Sequence, residues 1–207
     1  MVDGQHRAEL VVRELAPADY AVARRLIATA FGGEPFAVGM FGPSPLDRFV
    51  GMAEQYEAWP WGSNPIAVGA EVDGSIVGVA TASLSGACHL CDEFDVTDDP
   101  SATTAQRIER EFQLACRDAH LGALLPPHAH ISTVATEPFV SGSGVGRRVV
   151  GALVERLWSV GARCAVLECL TTREQFYANV GFARVVEFDD PGGPGLRSVL
   201  MRMNAPH

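Results

Sequence analysis

The chain has 207 residues, 47% of them hydrophobic, which is enough for one domain with a full core. Its formal net charge is −9 with no cluster of Lys or Arg, which argues against nucleic acid as a main partner and is compatible with a cationic amine substrate. No apolar run reaches membrane-spanning length, and the start MVDGQHRAEL has neither a basic region nor a hydrophobic signal core, so no membrane partner and a cytoplasmic location are expected.

In chain order, residues 10–15 (LVVREL) read as a first strand. Pro17 and Asp19 mark a helix start, and residues 21–31 carry a helical apolar stripe. Gly32, Gly33 and Pro35 break it, and the spacing predicts a loop up to Pro45. Residues 46–58 form a second predicted helix with Phe49, Met52, Ala53 and Tyr56 on one side, ended by Trp59-Pro60-Trp61-Gly62. Two apolar or alternating runs, 66–72 and 75–84, meet across Asp73-Gly74, the clearest hairpin signal in the chain. Residues 85–127 are less regular, but a helix is expected within 103–125, with Ile108, Phe112, Leu114 and Cys116 as its apolar positions. Two final strands are expected around the turn at 189–195. No repeat or interdomain linker interrupts this order, so residues 1–207 are expected to form one domain.

The five cysteines, Cys88, Cys91, Cys116, Cys164 and Cys169, are odd in number and irregularly spaced, which fits reduced thiols better than a disulfide framework. Cys88 and Cys91 form a C-x-x-C, but a structural zinc site wants a second ligand pair. Only His128 and His130 could supply one, by folding nearby, and no metal is expected.

The rest of the chain is organised around residues 131–150. An apolar, β-branched run (ISTVATEP) is followed by Gly142, Gly144 and Gly146 alternating with Ser143 and Val145, and then by Arg147 and Arg148. Val149, Val150, Leu153, Val154 and Leu157 recur at helical spacing. A strand thus feeds a glycine turn whose amides become the open start of a helix. That end carries unpaired N–H groups and about half a positive charge, which suits a phosphate. It is not a Walker loop, because no Lys-Ser/Thr pair follows the last glycine, and Gly-x-Gly-x-Gly is not a dinucleotide fingerprint. A plain βα turn with flexible glycines remains the alternative on this stretch alone.

Farther on, residues 164–170 (CAVLECL) read as a buried strand, followed by TTREQFYANVGF at 171–182. With these residues the chain resembles the GNAT superfamily of acyl-CoA-dependent N-acyltransferases, and within it the puromycin N-acetyltransferase-like members. That family orders a strand, a Gln/Arg-x-x-Gly-x-Gly/Ala loop, a helix, a strand, and a short helix ending in Phe-Tyr-x-x-x-Gly-Phe. Here the two motifs are SGSGVG at 141–146 and FYANVGF at 176–182. The likeness is clear from about Pro127 onward and only topological before it.

The resemblance implies an α/β fold whose mixed, mostly antiparallel central sheet is splayed at its fourth strand and flanked by helices. It implies acetyl-CoA or a related acyl-CoA as cosubstrate and a small-molecule primary amine as acceptor. The splay is expected near Val134, Ala135 and Thr136, whose backbone would bind the pantetheine arm and polarise the thioester. Ser141, Gly142, Ser143, Gly144, Val145, Gly146 and Arg147 would cradle the pyrophosphate; Arg148 reads as a solvated helix face. Ser141 departs from the Gln or Arg usual there, though an amide cradle does not need that side chain. Phe176 and Phe182 read as aromatic packing, and Phe176 is also counted with the acyl-CoA site.

Tyr177 is the expected general acid. The departing thiolate needs a proton, and a phenol of ordinary pKa near 10 gives one more readily than water. For the base, Glu168 leads over Glu71, Glu93 and His130. Strand alternation leaves the direction of the Glu168 side chain open, and waters could instead carry the proton. The acceptor pocket is expected from the loop 32–45, Trp59, Trp61 and residues 85–127, with Phe36 and Phe41 as further lining or packing residues. The last strands could also pair in a homodimer. A CoA-binding sensor that kept the fold without turnover is the rival reading, favoured by Ser141 and the missing obvious base.

Overall fold

The computed structural model of the chain describes residues 9–61, 65–84, 100–123, 125 and 127–206. Seven strands form one sheet in the order β1-β2-β3-β4-β5-β7-β6. They are β1 (Leu10–Glu14), β2 (Pro65–Val72), β3 (Ser75–Ser83), β4 (Ala129–Thr136), β5 (Cys164–Leu170), β6 (Ala183–Asp189) and β7 (Arg197–Asn204). All neighbours are antiparallel except β4 and β5. The helices are α1 (Tyr20–Phe31), α2 (Pro35–Phe41), α3 (Pro45–Gln55), α4 (Thr104–Gly122), α5 (Val145–Ser159) and α6 (Glu174–Ala178).

Local chemistry explains most boundaries. Asp73 and Gly74 both take positive φ, 49° and 77°, as the tight β2–β3 turn requires. Thr103 and Gln106 form a reciprocal capping box that opens α4, and Ser44 caps α3 with Pro45 at its first position. The expected loop at 32–45 is corrected, because Pro35–Phe41 is a helix. Pro35 reads as a breaker in sequence, yet at a helix's first position it costs no hydrogen bond. The seven-residue helix is held by tertiary contact: a Cβ on Gly39 would stand 2.0 Å from the Gly192 carbonyl oxygen.

Strand alternation divides the interior. One face packs Ile66, Val68, Ala80, Ile131 and Leu167 against Val149, Val150, Leu153 and Leu157 of α5. The other packs Ala67, Val79 and Ala135 against Leu26 and Ile27 of α1 and Met52 of α3. Each fully buried Val or Leu contributes about 1.5–3 kcal/mol. On β5, Ala165 and Leu167 join the α5 side. Cys164 and Val166 face the other way, packing with Leu200 against Ala119 of α4. Glu168 continues that second row, so alternation carries its side chain toward α4.

Candidate active site

β4 and β5 pair only at Ala129↔Ala165 and His130↔Val166. Beyond His130 they diverge, so the opening begins at Ile131 and runs through Val134, Ala135 and Thr136. The far edge of β4 stays paired with β3, with a bulge at Ser132, where the register steps from Thr81↔Thr133 to Ala82↔Ile131. An inserted residue kinks the strand and re-aims its side chains. The edge of β4 that faces β5 therefore offers peptide N–H and C=O groups without a ladder partner.

A cleft of about 840 Å³ follows this opening. Its walls include residues 131–136 of β4, Glu168 and Cys169 of β5, Phe176 and Tyr177 of α6, and Ser141, Gly142, Gly144, Gly146 and Arg147 of the glycine turn. Gly142 and Gly144 have φ of 77° and 88°, where a side chain would strain the backbone. Arg148 N–H closes the first turn of α5 onto the Gly144 carbonyl, so the amides of Val145, Gly146 and Arg147 precede the helical ladder. Phe176 packs over Gly146, within 3.3 Å of where a Cβ would stand. The Val145 side chain is buried in the core, leaving its amide as the group that can meet a ligand. Ser143 Oγ donates to the Val140 carbonyl at 2.5 Å and braces the turn. Arg148 also borders the cleft and donates to the Leu10 carbonyl of β1 at 3.1 Å.

Tyr177 lies in the same cleft, edge-on to Phe176 and Phe182 with ring centroids 4.9 and 6.1 Å away. Burial pushes its phenol well above the ordinary value, Cys169 and Glu34 add to the rise, and Arg173 opposes it. The phenol thus holds its proton at neutral pH. Arg173 and Glu34, both on the cleft wall, form an ion pair at 2.6 Å.

Glu168 does not stand free as a base. Its carboxylate lies between two imidazoles: His130 Nε2 donates to Oε2 at 2.7 Å, and His120 Nε2 donates to Oε1. All three side chains are buried. Burial alone would raise the Glu168 pKa. The charges and hydrogen bonds of His130 and His120 outweigh it and hold the carboxyl below the usual carboxylate range. Both Nε2 atoms must carry protons for these bonds, which leaves Nδ1 as the other nitrogen of each ring through which a proton can pass. Their ligand atoms lie within 4.8 Å of one another, a set that could hold a divalent cation. A tetrahedral site would space such atoms by about 3.4 Å, whereas the bonds here are at hydrogen-bonding length.

Sequence reasoning missed His120, although it continues the Phe112–Cys116 stripe at a spacing of four. Of the other base candidates, Glu71 accepts from Arg13 Nε at 2.9 Å and is not on the cleft wall; Glu93 lies outside the described residues. Cys88 and Cys91 also lie outside them, and the three described cysteines, Cys116, Cys164 and Cys169, form no disulfide with one another.

A second cavity of about 510 Å³ adjoins the cleft and shares Phe31, Phe36, Ser132, Glu168 and Cys169 with it. Trp61 and Phe36 are among the residues that line it. Trp59 is not: it is 0% exposed, its Nε1 donates to Thr81 Oγ1 at 3.2 Å, and Arg24 clamps its carbonyl from α1. Phe41 packs against Gly51 of α3.

The family profile described as Acetyltransferase (GNAT) family matches residues 41–182. The chain belongs to the GNAT acetyltransferase family. Solved GNAT-type structures share its fold at low identity. A mosquito arylalkylamine N-acetyltransferase-like protein is 14% identical, covering 95% of this chain and 100% of its own, with a TM-score of 0.68. The Drosophila melanogaster polyamine N-acetyltransferase is 14% identical over 95% and 100%, with a TM-score of 0.64. A Salmonella typhimurium protein solved with acetyl-CoA as its cofactor is 14% identical over 94% and 93%, with a TM-score of 0.55. No curated protein matches the chain by sequence.

Proposed function

We propose that this GNAT protein transfers an acetyl group from acetyl-CoA to a primary amine of a small molecule by direct attack. The observation that carries the reading is the cleft that holds the opened edge of β4, the glycine turn before α5 and the Tyr177 phenol together. The names of the neighbouring arylalkylamine and polyamine N-acetyltransferases, and a neighbour solved with acetyl-CoA, support the donor and the class of acceptor.

In this reading the amides of residues 142–147 bind the pyrophosphate, and the free edge at Val134, Ala135 and Thr136 pairs with the pantetheine arm. A preorganised β4 amide stabilises the oxyanion as the amine nitrogen bonds to the thioester carbon; one such donor is commonly worth about 2.7–4 kcal/mol. The C–S bond then breaks, and the thiolate takes the Tyr177 proton. The proton lost by the amine passes through water to the His130–Glu168–His120 cluster, which meets the cleft at Glu168, while His130 lines the adjoining cavity. Within the cluster Glu168 fixes both rings and their tautomers through Nε2, as carboxylates orient imidazoles elsewhere. The base is therefore the cluster, not Glu168 alone.

Free-thiol release from acetyl-CoA over an amine panel, with product masses read in parallel, tests the proposal. Acetylated amine should appear in step with CoA thiol, and Tyr177→Phe should lower kcat by about 10²-fold while acetyl-CoA binding holds. Tight acetyl-CoA binding with no turnover on any amine would favour a CoA sensor. Failure to bind any CoA ester would sink both.

A further inference from the structure

The second cavity has an inner end that the proposed chemistry does not use. Glu109 of α4 is held there by two side-chain amides: Gln55 Nε2 donates to Oε2 at 2.6 Å and Gln113 Nε2 to Oε1 at 2.7 Å. Both donors are neutral. Among the described residues Glu109 forms no ion pair. The Gln55 amide orientation is fixed, because only its NH₂ can face a carboxylate. That leaves Gln55 Oε1 buried with no hydrogen-bond partner. Glu109 and Gln55 both border this cavity, and the carboxylate and the buried, unpartnered Gln55 Oε1 both call for N–H donors. Burial also raises the Glu109 pKa, the expected state of a carboxyl without a counter-charge.

The wall between this end and the acyl-transfer junction is aromatic. Tyr56 meets Trp61 at 4.6 Å between centroids and Phe31 edge-on at 5.5 Å. Phe31 belongs to both cavities, whereas Tyr56, Gln55, Glu109 and Gln113 border only the second. Glu109 borders the second cavity and not the cleft, so a group held there is a second one beside the amine that attacks in the cleft. Ring faces favour a cation or an apolar chain passing along them, and an ammonium has three donors for the two waiting acceptors.

Resting on the acyl-transfer reading, we infer that the acceptor is a dicationic amine. One nitrogen is delivered to the thioester at the Ser132–Glu168 junction, and its second, cationic nitrogen is bound by Glu109 and Gln55 at the inner end of the second cavity.

The test pairs each n-alkyl monoamine from butylamine to octylamine with the α,ω-diamine of equal carbon count, measuring kcat/KM with acetyl-CoA. At the best chain length the diamine should lead by about 30-fold or more, the scale of a desolvated charge pair, and Glu109→Gln should bring that ratio toward one. A ratio near one in the wild type overturns the inference, and this arm needs no variant to fold. A ratio that survives in Glu109→Gln also overturns it, because a purely structural role would slow both members of a pair alike. Calorimetry with the same pairs separates this inference from the acyl-transfer reading. Tighter diamine binding, lost in Glu109→Gln, with no acetyl transfer to any amine, keeps the second-cation site and removes the enzyme. Equal binding of both members removes the site.

Discussion

Replacing Glu168 by Gln keeps the shape of the residue and removes its charge. The carboxylate accepts two hydrogen bonds from buried imidazoles, from His130 at 2.7 Å and from His120. A bond to a charged group is worth about 1.5–3 kcal/mol and a neutral one about 0.5–1.5. The amide can still accept one bond, but its NH₂ then faces the other Nε2. The net loss should be about 1–3 kcal/mol, or about 2–12 °C in Tm for a chain of this size. Glu168→Ala leaves both rings without the carboxylate and should cost about 3–5 kcal/mol. The folded carboxyl lies below the ordinary range, so its stabilisation is present at neutral pH. It fades as pH falls below about 4.3, where the unfolded side chain takes up its proton. The gap between wild type and Glu168→Gln should therefore narrow in acid. In turnover, Glu168→Gln should lower kcat by up to about 10²-fold, less than the loss of the base itself, with KM for acetyl-CoA unchanged. Thermal melts across pH and steady-state thiol release give both readouts. A Glu168→Gln protein as stable and as fast as wild type would refute the role given to the cluster.

Gly144→Ala places a side chain at φ 88°, a strain of about 1–2 kcal/mol, and should raise KM for acetyl-CoA while the fold is kept; an unchanged KM would remove the turn from the site. Because burial raises the Tyr177 phenol, its protonated form should persist beyond the ordinary value of about 10. No alkaline fall in kcat should trace to it below that pH, and a fall near neutrality that vanishes in Tyr177→Phe would contradict its assignment as the acid. Dialysis against a chelator should leave kcat intact, since the His120–Glu168–His130 cluster is read as holding protons. A loss restored by zinc would make it a metal site instead.

What was legible in the sequence is what local chemistry decides. Asp73-Gly74 specifies its own turn, and the apolar run CAVLECL its own strand. Residues 141–146 and 176–182 carried the resemblance, and the cleft does bring them together. What stayed hidden depends on distant chain. The α2 helix forms where Gly32, Gly33 and Pro35 argued for a loop, because Gly39 packs on Gly192. Glu168, His120 and His130 come from β5, α4 and β4, and nothing near any of them in sequence announces the other two. The direction of Glu168 follows from the alternation of Cys164 and Val166, readable only once α4 is known to cover that face. Trp59 was expected near the pocket because it stands in a tryptophan-rich turn, but Thr81 and Arg24 hold it in the core.

Amide hydrogen exchange with and without acetyl-CoA tests most directly the claim that the splay of β4 and the glycine turn form the acyl-CoA site. The account predicts new protection in peptides spanning residues 131–137 and 141–148, with little change in β1 or β6. Unaltered exchange in both segments at saturating acetyl-CoA, or protection confined to other parts of the sheet, would contradict it.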